Sequence, residues 1–415
     1  MSPTPRAALV LGAIAVAALI APLGLVALAA LALVVCMAVD AWSVRQVPVV
    51  SRSLAPVLSR GVPVELRIGT QVPAARTLRI RQPAPPELVL APAEGDEELD
   101  GQLVARVRGR HVLPALGTRA EGRLGLGAWY HRAGGELETR VYPDLVSARR
   151  LALAAREGRL LDPSRRARGP IGLGTEFESV REWAPDDDVR HVNWPATQRM
   201  ARPMTNQYRL EQARDVVFLI DTGRLMATPL GDRTRLDAAL DAVAAVALAA
   251  DELGDHCGAV AFDSGIRAQL RPRRWGGRDI VQSLFDLQPR AVDSDYEQAF
   301  RRVAGGKRAL VLVCSDLFDE AAARAMIEAA PVLARRHAMV IATVTDPDID
   351  RLVTAEPTAP ADVYAAAAAL DLLDSRARAA ARLRHAGAQV VEAFPDALAA
   401  ACVRAYLTAK ATSRL

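Results

Sequence analysis

Val216-Val217-Phe218-Leu219-Ile220-Asp221 sets five apolar residues in succession and closes them with a carboxylate. An unbroken apolar run of that length reads as a strand buried on both faces, the kind found in parallel sheets covered by helices. Downstream, Arg235 to Leu253 reads as a long apolar-rich helix. Ala259–Phe262 reads as a second strand, with Ile266 to Leu270 as a hairpin partner. Ala309 to Cys314, closed by Ser315-Asp316, is a third buried strand; Met339 to Val344 is a fourth, and Gln389 to Val391 a last short one. Strands alternating with helices predict an α/β domain over 214–415 built on a doubly wound sheet. Ligands of such sheets sit beyond the carboxyl ends of the strands.

Upstream of this domain the pattern changes. Residues 44–147 read as short strands divided by turn signals, which predicts a small β-sandwich. Val62 to Ile68 and Thr77 to Arg81 alternate as half-buried strands do. Pro83, Pro85, Pro86 and then Glu94-Gly95-Asp96 read as loops, and Val104 to Val112 as a hairpin turning at Gly109. Gly122 to Gly127 is glycine-rich but lacks the lysine and hydroxyl of a phosphate-binding loop, so it is read as a turn. Gly305-Gly306-Lys307-Arg308 has a lysine but lacks the hydroxyl and preceding glycine of such a loop, and it leads into the strand at Ala309.

The N-terminus is a membrane segment by composition, over residues 1–43. No charged residue falls between Arg6 and Asp40, and Pro22-Leu23-Gly24 interrupts the run near its middle. About 20 apolar residues suffice for one span, so this run fits either one long tilted helix or a helical hairpin. A signal peptide would have a shorter apolar region followed by a small-residue cleavage site. Arg6 on one side and Arg45, Arg52 and Arg60 on the other favour the cytoplasmic face for both ends, and hence the hairpin. The expected location is the cell inner membrane, with the soluble domains in the cytoplasm.

The overall charge argues against nucleic acid as a partner. The formal net charge of the 415 residues is +4, and Lys307 and Lys410 are the only lysines, with acidic residues interleaved throughout. A nucleic-acid binder gathers its basic residues on one surface. Cys36, Cys257, Cys314 and Cys402 are far apart and show no metal-ligand spacing, which suits buried free thiols in a reducing compartment.

Two groups of residues are candidates for function. Asp221 and Asp316 both stand at strand ends, where paired carboxylates with nearby hydroxyls supply the oxygen ligands a hard divalent cation needs. An Asp after a strand also simply caps the next turn or helix, and spacing alone favours that plainer reading. The second group lies within 181–199: Arg181, Glu182, Trp183, Asp187, Asp188, Arg190, Trp194 and Arg199. As a recognition surface, the tryptophans anchor and the arginines grip carboxylates. As a structural loop, Arg–Asp pairs pin it and the tryptophans are buried. The plainer reading is preferred for Trp183 and Trp194, and binding for the charged residues. Asp186-Asp187-Asp188 is read as a solvated turn after Pro185, because consecutive side chains point apart. His191 stands near acid–base partners, but no nucleophile elbow or metal-binding His pair accompanies it, so a hydrolase ranks last and no catalytic residue is assigned.

The stretch from Gly174-Thr175-Glu176-Phe177 through Arg181-Glu182-Trp183-Ala184-Pro185-Asp186-Asp187-Asp188-Val189-Arg190-His191-Val192-Asn193-Trp194, with Arg199 trailing, closely resembles the signature of the bacterial domain of unknown function 58 family. The resemblance extends to the apolar N-terminus, Arg108 to His111, Leu124 to Leu126 and Val141-Tyr142-Pro143. It implies a von Willebrand factor A-like domain. It also implies partnership with a MoxR-type AAA+ ATPase in assembling or maturing protein complexes, and so a non-enzymatic protein-binding role with a client that the sequence does not name. The metal motif of A domains is Asp-x-Ser-x-Ser with a later Thr and Asp. Here the run is Asp221-Thr222-Gly223-Arg224-Leu225, so both serines are lost; Ser294 stands in for the Thr, and Asp316 matches the last Asp. The resemblance therefore implies a degenerate site at Asp221, Ser294 and Asp316 with weak Mg²⁺ binding at most. A metal-dependent adhesion module is the alternative function. Within the signature, Asp186 replaces Gly, Asn193 replaces Asp and Pro195 replaces Lys.

Overall fold

A computed structural model describes residues 1–71, 75–160, 171–184, 192–209, 214–317 and 320–411. The chain divides into two compact units, Met1–Asp144 and Leu145–Leu415, of mixed α/β content.

The first unit opens with a two-residue strand, Ser2–Pro3, and two apolar helices, Pro5–Ala17 and Leu23–Ser43. Thr4 caps the first helix, and Pro22 stands at the N-cap of the second, where its fixed φ and missing N–H end one helix and start the next. The second helix is long and apolar enough to cross a membrane. Its outward side chains are exposed, as is Ile20 in the intervening turn. The rest of the unit is β. Sheets of five, three and four strands share one apolar core that includes Leu66, Ile68, Leu78, Ile80, Leu103, Leu113 and Val141. The strand Thr77–Arg81 buries only Leu78 and Ile80, the alternation its sequence shows.

Two local expectations fail here. Glu94–Asp96 is a strand, not a loop, paired antiparallel with Thr77–Arg81 at the sheet edge. Cross-strand Arg79–Asp96 and Arg81–Glu94 ion pairs stand where its turn-like composition suggested solvent. Glu98–Ala105 and Gly109–Leu113 form no hairpin. The former pairs with Val64–Gln71 and Leu88–Ala91, and the latter with Leu137–Tyr142 in a different sheet.

The second unit is organised on a six-stranded sheet. Its spatial order is Ile266–Arg274, His256–Phe262, Asp215–Asp221, Ala309–Cys314, Ala338–Val344 and Gln389–Ala393. The edge strand Ile266–Arg274 runs antiparallel and all other pairings are parallel. The chain starts in the middle, builds outward on one side, and then returns to build the other. The order thus reverses between Asp215–Asp221 and Ala309–Cys314. In Asp215–Asp221 every residue after the first is buried, as the continuous apolar run requires. Val217 and Leu219 face a core completed by Tyr296, Phe300, Met326, Leu333 and Leu383. The helix Arg235–Glu252 is buried along nearly its whole length and also packs on the sheet.

The segment that precedes this sheet carries the helix Leu145–Arg156, which buries Ala148, Ala152 and Ala155 at helical spacing. Beyond it the strands Ile171–Glu182 and Met204–Arg209 pair antiparallel, with the helix Trp194–Met200 between them. Of the four cysteines, Cys257, Cys314 and Cys402 are buried free thiols, while Cys36 is exposed on the apolar helix. Burial pushes the Cys402 thiol up to about 12.

Candidate functional site

Asp221 ends the central strand at the point where the sheet order reverses, and its carboxylate is buried. Oδ1 accepts from Ser294 Oγ at 2.5 Å and from the Gly223 N–H at 2.8 Å. Oδ2 accepts from Tyr296 Oη and Ser315 Oγ, both at 2.7 Å. Burial, reinforced by the Asp221 charge, pushes the Tyr296 phenol well above its ordinary range, so the phenol remains a donor. Gly223 explains part of the departure from the metal motif. A methyl placed on it meets Ser294 Oγ at 2.2 Å and Val292 O at 2.8 Å, so a serine at 223 and Ser294 compete for one place. Arg224 turns to Asp293, at 2.5 Å, rather than to Asp221.

Asp316 is buried beside this cluster and meets two guanidinium groups. Arg235 Nη1 pairs with its Oδ2, while Arg376 Nη2 lies 3.5 Å from Oδ1. Thr343 Oγ1 reaches the same Oδ1 at 3.3 Å. Arg235 Nη2 also reaches Asp346 Oδ2 at 3.2 Å, and Arg376 donates to the Val344 carbonyl at 2.8 Å. Both arginines are buried. Arg235 is held there by the capping box of its helix, in which Thr234 and Asp237 exchange hydrogen bonds. Asp346 in turn caps the helix Pro347–Thr354.

Asp221 and Ser294 are thus in direct contact, whereas Asp316 belongs to the arginines. Mg²⁺ asks for near-octahedral oxygen coordination. Here Asp221 is saturated by three hydroxyls and an N–H, and Asp316 is already neutralised. As arranged, these residues do not fit a divalent ion, which would have to displace Arg235.

Arg235, Arg376, Tyr296, Ser315, Thr343 and Asp346 complete the cluster and were not foreseen. One signal was available for Arg376: it falls on the buried stripe of its helix with Ala369, Ala379, Ala380 and Leu383, where a charge needs a partner.

The other candidate group sits on the hairpin. Arg181 and Glu182 are exposed at the end of the first strand, and Glu182 faces Arg202 at 3.5 Å. Trp183 is half-buried, and its backbone N–H donates to Pro203 O. Trp194 begins the intervening helix and is 67% exposed, so burial does not explain it. Arg199, on the same helix, is exposed and reaches the Pro195 carbonyl at 3.3 Å. Asp186, Asp187, Asp188, Arg190 and His191 lie outside the described residues. The two substitutions flanking Trp194 have local reasons. Asn193 caps the helix by accepting from the Ala196 N–H at 2.9 Å while its Nδ2 donates to Asn206 at 2.7 Å. Pro195 fits the first turn, where no intrahelical N–H is lost.

Residues 179–394, just over half of the chain, match the family described as protein of unknown function DUF58. The chain belongs to the DUF58 family. The match takes in the strand-end cluster, the described part of the hairpin from Ser179, and both buried arginines, while the N-terminal unit falls outside it. Among curated proteins nothing matches this DUF58 chain. Two solved structures are similar over short stretches. The sulfur carrier protein SoxY from Chlorobium limicola f thiosulfatophilum is 16% identical, over 22% of this chain and 77% of that one, with a TM-score of 0.14. The PKD domain of an M14-like peptidase from Thermoplasmatales archaeon SCGC AB-540-F20 is 14% identical, over 23% and 92%, also at 0.14. Neither likeness carries an argument about this chain.

Proposed function

We propose that this DUF58 chain is a membrane-anchored, non-enzymatic scaffold that binds a MoxR-type AAA+ ATPase and a protein client through a doubly wound, von Willebrand A-like domain whose strand-end face works without an exchangeable metal ion. The observation that carries the reading is Arg235, buried between Asp316 and Asp346 at the position where an A domain would rely on a cation. A covalently held guanidinium supplies positive charge permanently, so the surrounding loops are organised whether or not Mg²⁺ is present. The strand order and its reversal at Asp221 support the A-like assignment. Exposed Trp194 supplies the kind of anchor that protein interfaces use.

A metal-dependent adhesion module is the second reading, favoured by the direct Asp221–Ser294 contact alone. The two separate in capture of a purified MoxR-type ATPase by the full chain in detergent. Mg²⁺ is kept constant throughout, because the ATPase has its own need for it. The scaffold reading expects Ser294→Ala to capture as wild type does and Trp194→Ala to lose capture. Loss of capture on Ser294→Ala restores the metal site to the argument, and no capture by the wild-type chain removes the ATPase as a partner.

A further inference from the structure

The base of the N-terminal hairpin is tied to the 122–127 turn from both arms. Thr4 Oγ1 donates to the Gly125 carbonyl at 2.5 Å, and the buried Asp40 carboxylate accepts from the N–H groups of Leu124, Leu126 and Gly127 at 2.8–3.0 Å. Around this junction stand four exposed arginines: Arg6, Arg45, Arg76 and Arg123. Arg6 and Arg76 converge on one point. A methyl on Gly125 would lie 2.6 Å from Arg76 Nη1 and 3.4 Å from Arg6 Nη1. Arg45 lies over the Trp42 ring, 4.1 Å from its centroid, and Trp42 meets Trp129 edge-on at 6.3 Å. Among the described residues none of the four arginines is paired with a carboxylate. The nearby acids are spoken for: Asp40 by the three backbone N–H groups, and Glu121 by Arg119 at 3.0 Å. Two guanidinium groups held at one point without a counter-charge repel one another unless an anion joins them.

We propose that Arg6, Arg45, Arg76 and Arg123 form a collar that binds the phosphates of anionic phospholipid at the foot of the hairpin. This rests on the reading that the apolar arms lie in a bilayer. The occupant is a lipid headgroup rather than a soluble anion because the collar is bounded by lipid-seeking side chains. Leu124 and Trp42 are exposed beside it, and the apolar arms rise directly from it. Trp and Arg at the end of an apolar helix fit the headgroup level of a membrane. A guanidinium donates to phosphate through a charge-assisted fork. Phosphatidylglycerol offers that phosphate without the neighbouring ammonium that phosphatidylcholine carries.

The test uses the full chain in phosphatidylcholine bilayers containing trace spin-labelled phosphatidylglycerol or spin-labelled phosphatidylcholine. The immobilised fraction is read by electron paramagnetic resonance. A basic side chain near a lipid surface contributes about 1 kcal/mol, or roughly fivefold in affinity. Labelled phosphatidylglycerol is therefore expected to be preferred by about fivefold or more. Arg6→Gln/Arg76→Gln brings the preference close to parity, and Arg6→Lys/Arg76→Lys, which keeps the charge, restores most of it. Equal immobilisation of the two lipids by the wild-type chain, or a preference unchanged in the glutamine variant, overturns the collar while leaving the anchor standing. Alkaline carbonate extraction of the wild-type chain checks the anchor separately, and release into the supernatant overturns both.

Discussion

Arg235 and Asp316 are a buried pair, so removing either one strands the charge of the other. Taking away one partner of a buried ion pair leaves an uncompensated charge and typically costs about 3–5 kcal/mol. Arg235→Met strands Asp316 and Asp346 with only Arg376 near Asp316. Its urea midpoint is expected to fall sharply, and millimolar Mg²⁺ is expected to recover part of the loss because a hard cation can now occupy the vacated place. The wild-type midpoint is expected to be indifferent to Mg²⁺, and equal Mg²⁺ stabilisation of the two proteins would refute the assignment. His337 provides a second residue-level test. Burial holds its imidazole below the ordinary 6.5, with the neighbouring Arg336 charge acting in the same direction and the nearby Ala304 backbone opposing them. The unfolded chain therefore binds a proton at a higher pH than the folded one. The contribution to stability is whole above pH 6.5 and is lost as pH falls toward the lower folded value. Urea midpoints measured from pH 7.5 to 5 are expected to decline more steeply for wild type than for His337→Phe.

At the scale of elements, the signature hairpin divides into residues that shape it and residues that face outward. Asn193 shapes it: Asn193→Ala removes the cap of the Trp194–Met200 helix and the bond to Asn206, and a lost N-cap costs about 1 kcal/mol. Asn193→Asp keeps an acceptor at the cap and is expected to restore most of the protection in amide exchange over 194–200. Failure of Asp to do better than Ala would mean that the cap is not what holds the helix. Trp194→Ala is expected to leave that protection intact and weaken ATPase capture by roughly tenfold or more, the effect of truncating an interface anchor. Strands buried on both faces were legible because burial imposes a continuous apolar run, as at Val216–Ile220 and Ala309–Cys314. The Glu94–Asp96 edge strand was not, since an edge tolerates charge and its Glu-Gly-Asp composition is that of a turn. The pairing of Gly109–Leu113 was not legible either, because local alternation says that a strand exists and nothing about which sheet receives it.

For the whole molecule, the same division between local and distant information governs what the N-terminus discloses. The apolar run and its break at Pro22 are local, and they became two helices, Pro5–Ala17 and Leu23–Ser43, separated at that proline. What fixes the base of the hairpin is distant: Thr4 and Asp40 both reach the 122–127 turn, a contact no periodicity announces. The strand-end cluster is alike in this respect. Asp221 and Asp316 were visible as strand ends, but Arg235 and Arg376 come to Asp316 from two other parts of the chain. Because both arms of the hairpin start from one turn, the two ends of the apolar segment are expected on the same side of any bilayer it enters. At 1.5 Å per residue, the 13-residue first arm is about 20 Å long and the 21-residue second about 31 Å. The hydrocarbon core is about 30 Å thick, so the shorter arm alone does not bridge it, and a one-pass arrangement would tear Thr4 away from Gly125. Single cysteines placed at Ser2 and Ser53 in a Cys36→Ser background are expected to react with a membrane-impermeant maleimide from the same face of sealed vesicles. Labelling of the two from opposite faces would mean that the arms form one tilted span, and that the contacts of Thr4 and Asp40 with the turn do not coexist in the membrane.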